Sequence, residues 1–91
     1  MVTVTERAAR ELRARLLALA PEPGYVLRLA AGPTGLILIL DVEREGDQLV
    51  EFEGEAVLVI APELSEALHG SVIDCEEREG GAVLTISREG A

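Results

Sequence analysis

Between residues 6 and 19 the apolar positions Ala8, Ala9, Leu12, Leu16 and Leu19 recur at intervals of one, three and four, the spacing that lines one face of an α-helix. Thr5 is the expected N-cap, because its hydroxyl can accept a free N–H of the first turn, and Glu6 suits the positive end of the helix dipole. Glu6/Arg10 and Glu11/Arg15 are i,i+4 pairs on the wet side, each contributing about 0.2–0.5 kcal/mol. Pro21, Pro23 and Gly24 end the helix in a loop. Ahead of it, Val2, Thr3 and Val4 read as a short strand.

Beyond the loop the period changes to two. Tyr25, Leu27 and Leu29 alternate with Val26 and Arg28, which predicts a half-buried strand. Residues 31–35 have the composition of a turn. Residues 36–40 are apolar at every position, so this strand is expected to be covered on both faces. A charged turn around Glu45, Gly46 and Asp47 leads to two strands, 49–53 and 55–60, arranged as a hairpin about Gly54. Pro62 opens a short helix over 63–68, with Leu64, Ala67 and Leu68 facing inward and Gly70 as its C-terminal glycine. Strands over 71–77 and 82–87, separated by Gly80 and Gly81, complete the pattern. The order is strand, long helix, four strands, short helix, two strands. Few crossovers exist to build a parallel sheet, so pairings should be antiparallel or mixed. The fold class is mainly β with one N-terminal helix and one short helix (α+β), a compact β-sandwich or partly open barrel with the first helix across it.

Composition adds constraints. The 91 residues show no linker, repeat or low-complexity tract and read as one domain, 1–91. Tyr25 and Phe52 are the only aromatics, so the core must be aliphatic. The net charge of −9, with all eight cations arginine and interleaved with glutamate, argues against nucleic-acid or anionic-membrane partners. The longest apolar runs, 36–40 and 56–61, are too short to span a bilayer, and no basic start precedes an apolar run at the N-terminus. A cytoplasmic protein is expected. The absence of Asn and the single Gln, Gln48, hint at a thermophilic source.

Candidate chemistry is sparse. His69 has no partner at ligand spacing; it suits the C-terminal end of the short helix and can pair with Glu66. The groups Glu51/Glu53/Glu55 and Glu76/Glu77/Glu79 lack the order of a calcium loop and read as solvated strand faces. Pro33 removes a backbone donor from the 32–35 turn, and a strand follows it, so the turn lacks the features of an anion site. Ser65, Ser71 and Ser87 lack the setting of a nucleophilic serine. No catalytic or cofactor-binding residue is assigned, and a non-enzymatic role is expected.

Four segments in order carry a family resemblance. Residues 2–9 (VTVTERAA) are similar to an opening strand and helix with a V-T-x-x-A pattern. Leu27-Arg28-Leu29 followed by Gly32-Pro33-Thr34-Gly35 resembles a strand and turn reading L-R-(V/L)…G-C-S-G. Residues 54–62 (GEAVLVIAP) resemble a strand entering a short helix, and residues 68–74 (LHGSVID) resemble L-x-G-x-x-I-D-Y. Together these segments make the chain resemble the HesB/IscA (A-type iron–sulfur carrier) family. The resemblance implies the family fold, oligomers such as a homodimer, and contacts with iron–sulfur assembly or recipient proteins. It also implies a cluster or iron held by a cysteine in the glycine turn and a C-x-C pair near the C-terminus. Here Pro33 stands at the turn position, and residues 87–91 offer no C-x-C counterpart. No metal site is therefore assigned. Cys75, the one cysteine, follows Ile73-Asp74 where the family often has Tyr. It reads as a small buried side chain in phase with Ile73. Its alternative role is an iron or iron–sulfur site shared between two subunits, each giving one thiolate. Reactive cysteines favour electropositive settings, whereas here Asp74, Glu76 and Glu77 surround it and Arg78 is the one nearby cation. The resulting expectation is a degenerate family member acting by protein contacts. A small-molecule or peptide module reusing the fold would instead show an apolar pocket beside Pro33 with converging polar groups.

Overall fold

A computed structural model describes residues 1–20 and 22–88. Pro21 of the predicted loop and residues 89–91 lie outside the described residues. The elements are β1 (Thr3–Val4), α1 (Glu6–Leu19), β2 (Val26–Gly32), β3 (Gly35–Asp41), β4 (Gln48–Phe52), β5 (Glu55–Ile60), α2 (Pro62–Ala67), β6 (Ser71–Arg78) and β7 (Gly81–Arg88). They reproduce the predicted order. Two mixed sheets form, β3-β2-β5-β4 and β1-β6-β7. Within them β2/β5 and β1/β6 are parallel and the other pairs antiparallel.

The core lies where α1 packs across both sheets. Leu12 and Leu16 of α1 meet Leu27 and Leu29 of β2, Leu58 and Ile60 of β5, and Ile73 and Cys75 of β6. The register explains the sharing: Leu27 opposes Leu58 and Leu29 opposes Ile60, so the four point to one face. Thr5 caps α1 by accepting the Ala8 N–H at 3.3 Å. The β4–β5 hairpin closes on Glu53 and Gly54, both in left-handed backbone (φ 52° and 82°), the geometry a two-residue hairpin turn favours. Arg10 and Arg13 of α1 lie over the Phe52 ring of this hairpin.

Several expectations are corrected. Leu19 is exposed, because α1 turns past the core in its last turn, and Ala20 is buried instead. Tyr25 precedes β2 and is exposed. In α2 it is Ser65, not Ala67, that is buried, while Leu64 and Leu68 pack against the core as predicted. Two differences matter more. Arg28, read as the wet side of a strand, is buried (7% exposed). Residues 36–40, read as doubly covered, are the reverse: Leu36, Ile37, Ile39 and Leu40 are each 37–45% exposed. The cause is position, since β3 is the outermost strand of its sheet and nothing described covers its free side. An all-apolar run does not distinguish a central strand from an unpartnered edge.

Candidate functional site

The turn between β2 and β3 is where the family resemblance points. Gly32 opposes Gly35 across a two-residue loop, Pro33-Thr34. Both glycines are required by the backbone. A Cβ on Gly32 would lie 2.9 Å from Ile37 Cγ2 and 3.1 Å from the Gly35 carbonyl oxygen, and Gly35 has φ 146°. Pro33 presets the first loop position and contributes no soft or charged donor. The turn thus keeps its shape without a thiolate. Iron–sulfur clusters are held by about four thiolates, and the side chains between the two glycines are those of proline and threonine.

Cys75 sits elsewhere. It is in the middle of β6, opposite Leu84 of β7, 7% exposed and part of the core. Ile73 shares its face, as the two-residue period predicts. His69 follows α2, which ends at Ala67; its backbone N–H donates to the Glu66 carbonyl at 3.1 Å, while its imidazole Nδ1 lies 2.7 Å from the Met1 amine nitrogen. Glu51, Glu53, Glu55, Glu76, Glu77 and Glu79 are exposed, on the wet faces expected. Among the described residues, no three His, Cys, Asp or Glu side chains come close enough to share a metal ion.

The polar chemistry gathers at three places that sequence reasoning missed. The first is Arg28. Its Nε donates to Asp41 at 2.6 Å, its Nη1 and Nη2 donate to Asp47 at 3.0 and 2.7 Å, and Nη2 also donates to the Val42 carbonyl at 3.1 Å. This fork binds the 41–47 segment down onto β2. Asp47 hydrogen-bonded to Arg28 is held below the ordinary carboxylate range; Asp41 is too, chiefly by the Val42 N–H and then by Arg28. The second is Asp74. It accepts from Arg7 Nε at 2.7 Å and Nη2 at 2.8 Å, from the Thr5 hydroxyl at 2.7 Å and from the Cys75 N–H at 2.8 Å. The Thr5 N–H donates to the Ile73 carbonyl, so helix cap and β6 are joined at one carboxylate. The third is Gln48, whose side-chain amide bonds both backbone groups of Val2 and accepts from the Ser65 hydroxyl at 2.6 Å. Among the described residues no buried side-chain nitrogen or oxygen lacks a partner. A carboxylate after an inward-facing strand residue, with a complementary Arg two positions past a distant upstream N-cap, is the one sequence signal that marks the Asp74 hub.

A pH dependence follows. Arg7 first, then Thr5 and the Cys75 N–H, hold Asp74 well below its ordinary value of 3.8. A depressed carboxylate stabilises the fold above its unfolded-state value, and that stability is lost as pH falls toward the lower folded value. Melting temperature should therefore fall steadily as pH drops below about 4. Asp74→Asn should lower stability near neutrality and flatten that acid limb, as thermal melts at stepped pH would record.

The remaining feature is a slot between the free edges of β3 and β7. It has a volume of about 630 Å³, and Leu12, Leu29, Leu36, Leu38 and Leu84 are among its lining residues. Arg15 and Thr85 are its polar side chains, and Arg15 is already engaged by Glu11 and the Ala82 carbonyl.

No family model and no curated protein matches the sequence. Solved structures do. The crystal structure of Escherichia coli SufA, involved in the biosynthesis of iron–sulfur clusters, superposes with a TM-score of 0.74 at 22% identity, covering 99% of this chain and 87% of that one. IscA with a [2Fe-2S] cluster superposes with a TM-score of 0.63 at 23% identity, covering 100% and 87%. A solution structure of an Aquifex aeolicus protein gives a TM-score of 0.61 at 22% identity, covering 96% and 90%. The chain has the HesB/IscA-like fold. Among the described residues no helix is long and apolar enough to cross a membrane.

Proposed function

We propose that this chain is a non-enzymatic, cytoplasmic protein related to iron–sulfur cluster assembly, acting through contacts with assembly or recipient proteins and holding no cluster at the β2–β3 turn. One observation carries the reading: the fold of SufA and IscA is kept over essentially the whole chain, while the turn that bears the family resemblance keeps its glycine geometry around Pro33. Conserving a shape without its ligand suits a protein whose surface does the work. The exposed aliphatic side chains of β3 and β7 support this, because monomers rarely leave such contiguous apolar strand surface to water.

A small-molecule module is the second reading, and the slot lies beside the turn as that reading requires. Its lining favours polypeptide. A polar ligand would meet only Thr85 and an Arg15 already bonded on both sides. The test is binding of purified cluster-assembly and recipient proteins to immobilised wild type and Pro33→Cys side by side. Retention of the same proteins by both is the expected result. Retention by Pro33→Cys alone, or by neither, overturns the reading.

A further inference from the structure

A second groove lies at the end of the β3-β2-β5-β4 sheet away from the Pro33 turn, where the last turn of α1 meets the starts of β2 and β5. Its volume is about 470 Å³. Leu16 in its floor is buried, whereas Leu17 and Tyr25 in its walls are 54% and 43% exposed. Tyr25 is the open aromatic of the chain; Phe52, the other one, is half-buried with Arg10 and Arg13 over its ring. An aliphatic and an aromatic side chain left over an apolar floor make a surface suited to another hydrophobic group.

The field at this groove has one sign, and it comes from three different sources. The C-terminal end of α1 is the negative end of its dipole, and the last turn carries no basic residue to offset it. The face of the Tyr25 ring attracts cations through its quadrupole. Glu22, Glu43 and Glu55 complete the lining, brought together from the loop after α1, the segment after β3 and the first position of β5. None of these three carboxylates is in an ion pair among the described residues. Arg44, next to Glu43 in sequence, reaches Asp41 instead, and the arginines of α1 pair with Glu6, Glu11, Glu53 and Asp74. The groove therefore joins apolar walls to an unneutralised negative rim.

We propose that this groove docks a basic segment of a partner polypeptide. A lysine or arginine of that segment lays its stem against Tyr25 with its charge among Glu22, Glu43 and Glu55, and a neighbouring apolar side chain covers Leu17 and Leu16. Long basic side chains suit such a surface because the stem is apolar and the head is charged. Opposite charge on the partner also speeds encounter with a chain of net charge −9. The proposal names the chemistry of one contact surface and stands whether or not the partner belongs to cluster assembly.

Tyr25 is the single tyrosine and the chain has no tryptophan, so tyrosine fluorescence reports on this groove alone. Titration with a short blocked peptide of alternating arginine and leucine should change that emission saturably, and the affinity read by calorimetry should fall as salt is added. Glu43→Gln/Glu55→Gln should weaken binding roughly fivefold, the scale of two solvent-facing charge contacts. Glu77→Gln/Glu79→Gln removes the same charge from exposed positions outside the groove and should leave the affinity within about twofold. All four side chains are exposed, so both variants should keep the wild-type far-UV circular dichroism. Replacing the peptide's leucines by glycine should weaken it by about tenfold, through the lost apolar contact. No saturable change overturns the proposal. Equal weakening by the two double variants overturns it too, since net charge alone would then attract the peptide. Equal binding of the arginine–glycine peptide overturns the apolar contact and leaves the groove to small cations.

Discussion

Replacing Arg28 with alanine is expected to cost about 3–5 kcal/mol of folding stability, because it strands a buried carboxylate. Asp47 is 2% exposed and takes two of its hydrogen bonds from the Arg28 guanidinium. Without it the carboxylate keeps only the Arg44 N–H, and it must stay charged in a poor solvent or take up a proton. Asp41 loses its closest partner at the same time. The 41–47 segment would then lose its tie to β2. Since domains of this size are stable by only about 5–15 kcal/mol, such a loss should be plain in urea titration and should lower the melting temperature by roughly 15–30 °C. Arg28→Lys should recover little, as a point charge cannot reproduce a fork that reaches two carboxylates and a carbonyl. Arg28→Met combined with Asp41→Asn and Asp47→Asn should recover most of the loss, because no charge is then left unpaired. A loss under about 1 kcal/mol for Arg28→Ala would show the pair to be solvated after all.

That buried arginine also marks the limit of what could be read in advance. The helix over 6–19, the hairpin at Gly54, Pro62 opening the second helix and the order of all nine elements follow from local rules: period, caps and turn residues within a few positions of one another. Cys75 was placed correctly in the core by the same two-residue period that places Ile73. What was misread depends on residues far apart in sequence. Arg28 alternates like a solvent-facing residue and is buried only because Asp41 and Asp47 fold back over it. β3 has the pattern of a doubly covered strand and is exposed only because of its place in the sheet. Asp74 passed as one acid among several until the fold brought Thr5 and Arg7 to it. The turn at Pro33 was legible in shape, since its glycine geometry is a local fact.

The second large effect concerns iron. A family-type site would need thiolates converging on the β2–β3 turn, and Pro33 supplies none. Cys75 could serve only by leaving the core, because it lies opposite Leu84 with its side chain among Ile73, Leu12 and their neighbours. Presenting it to a second subunit would require prising β6 from α1 and exposing apolar surface, at about 25 cal/mol per Å². Wild-type protein should therefore emerge from anaerobic treatment with ferrous iron and sulfide carrying far less than stoichiometric iron.

The most direct measurement is that reconstitution, read by visible absorption and by iron and sulfide analysis after desalting. The account predicts no stable cluster band and no stoichiometric iron, in wild type and Cys75→Ser alike. A stable, stoichiometric cluster in wild type would contradict it, and its disappearance in Cys75→Ser would assign the site to thiolates shared between subunits.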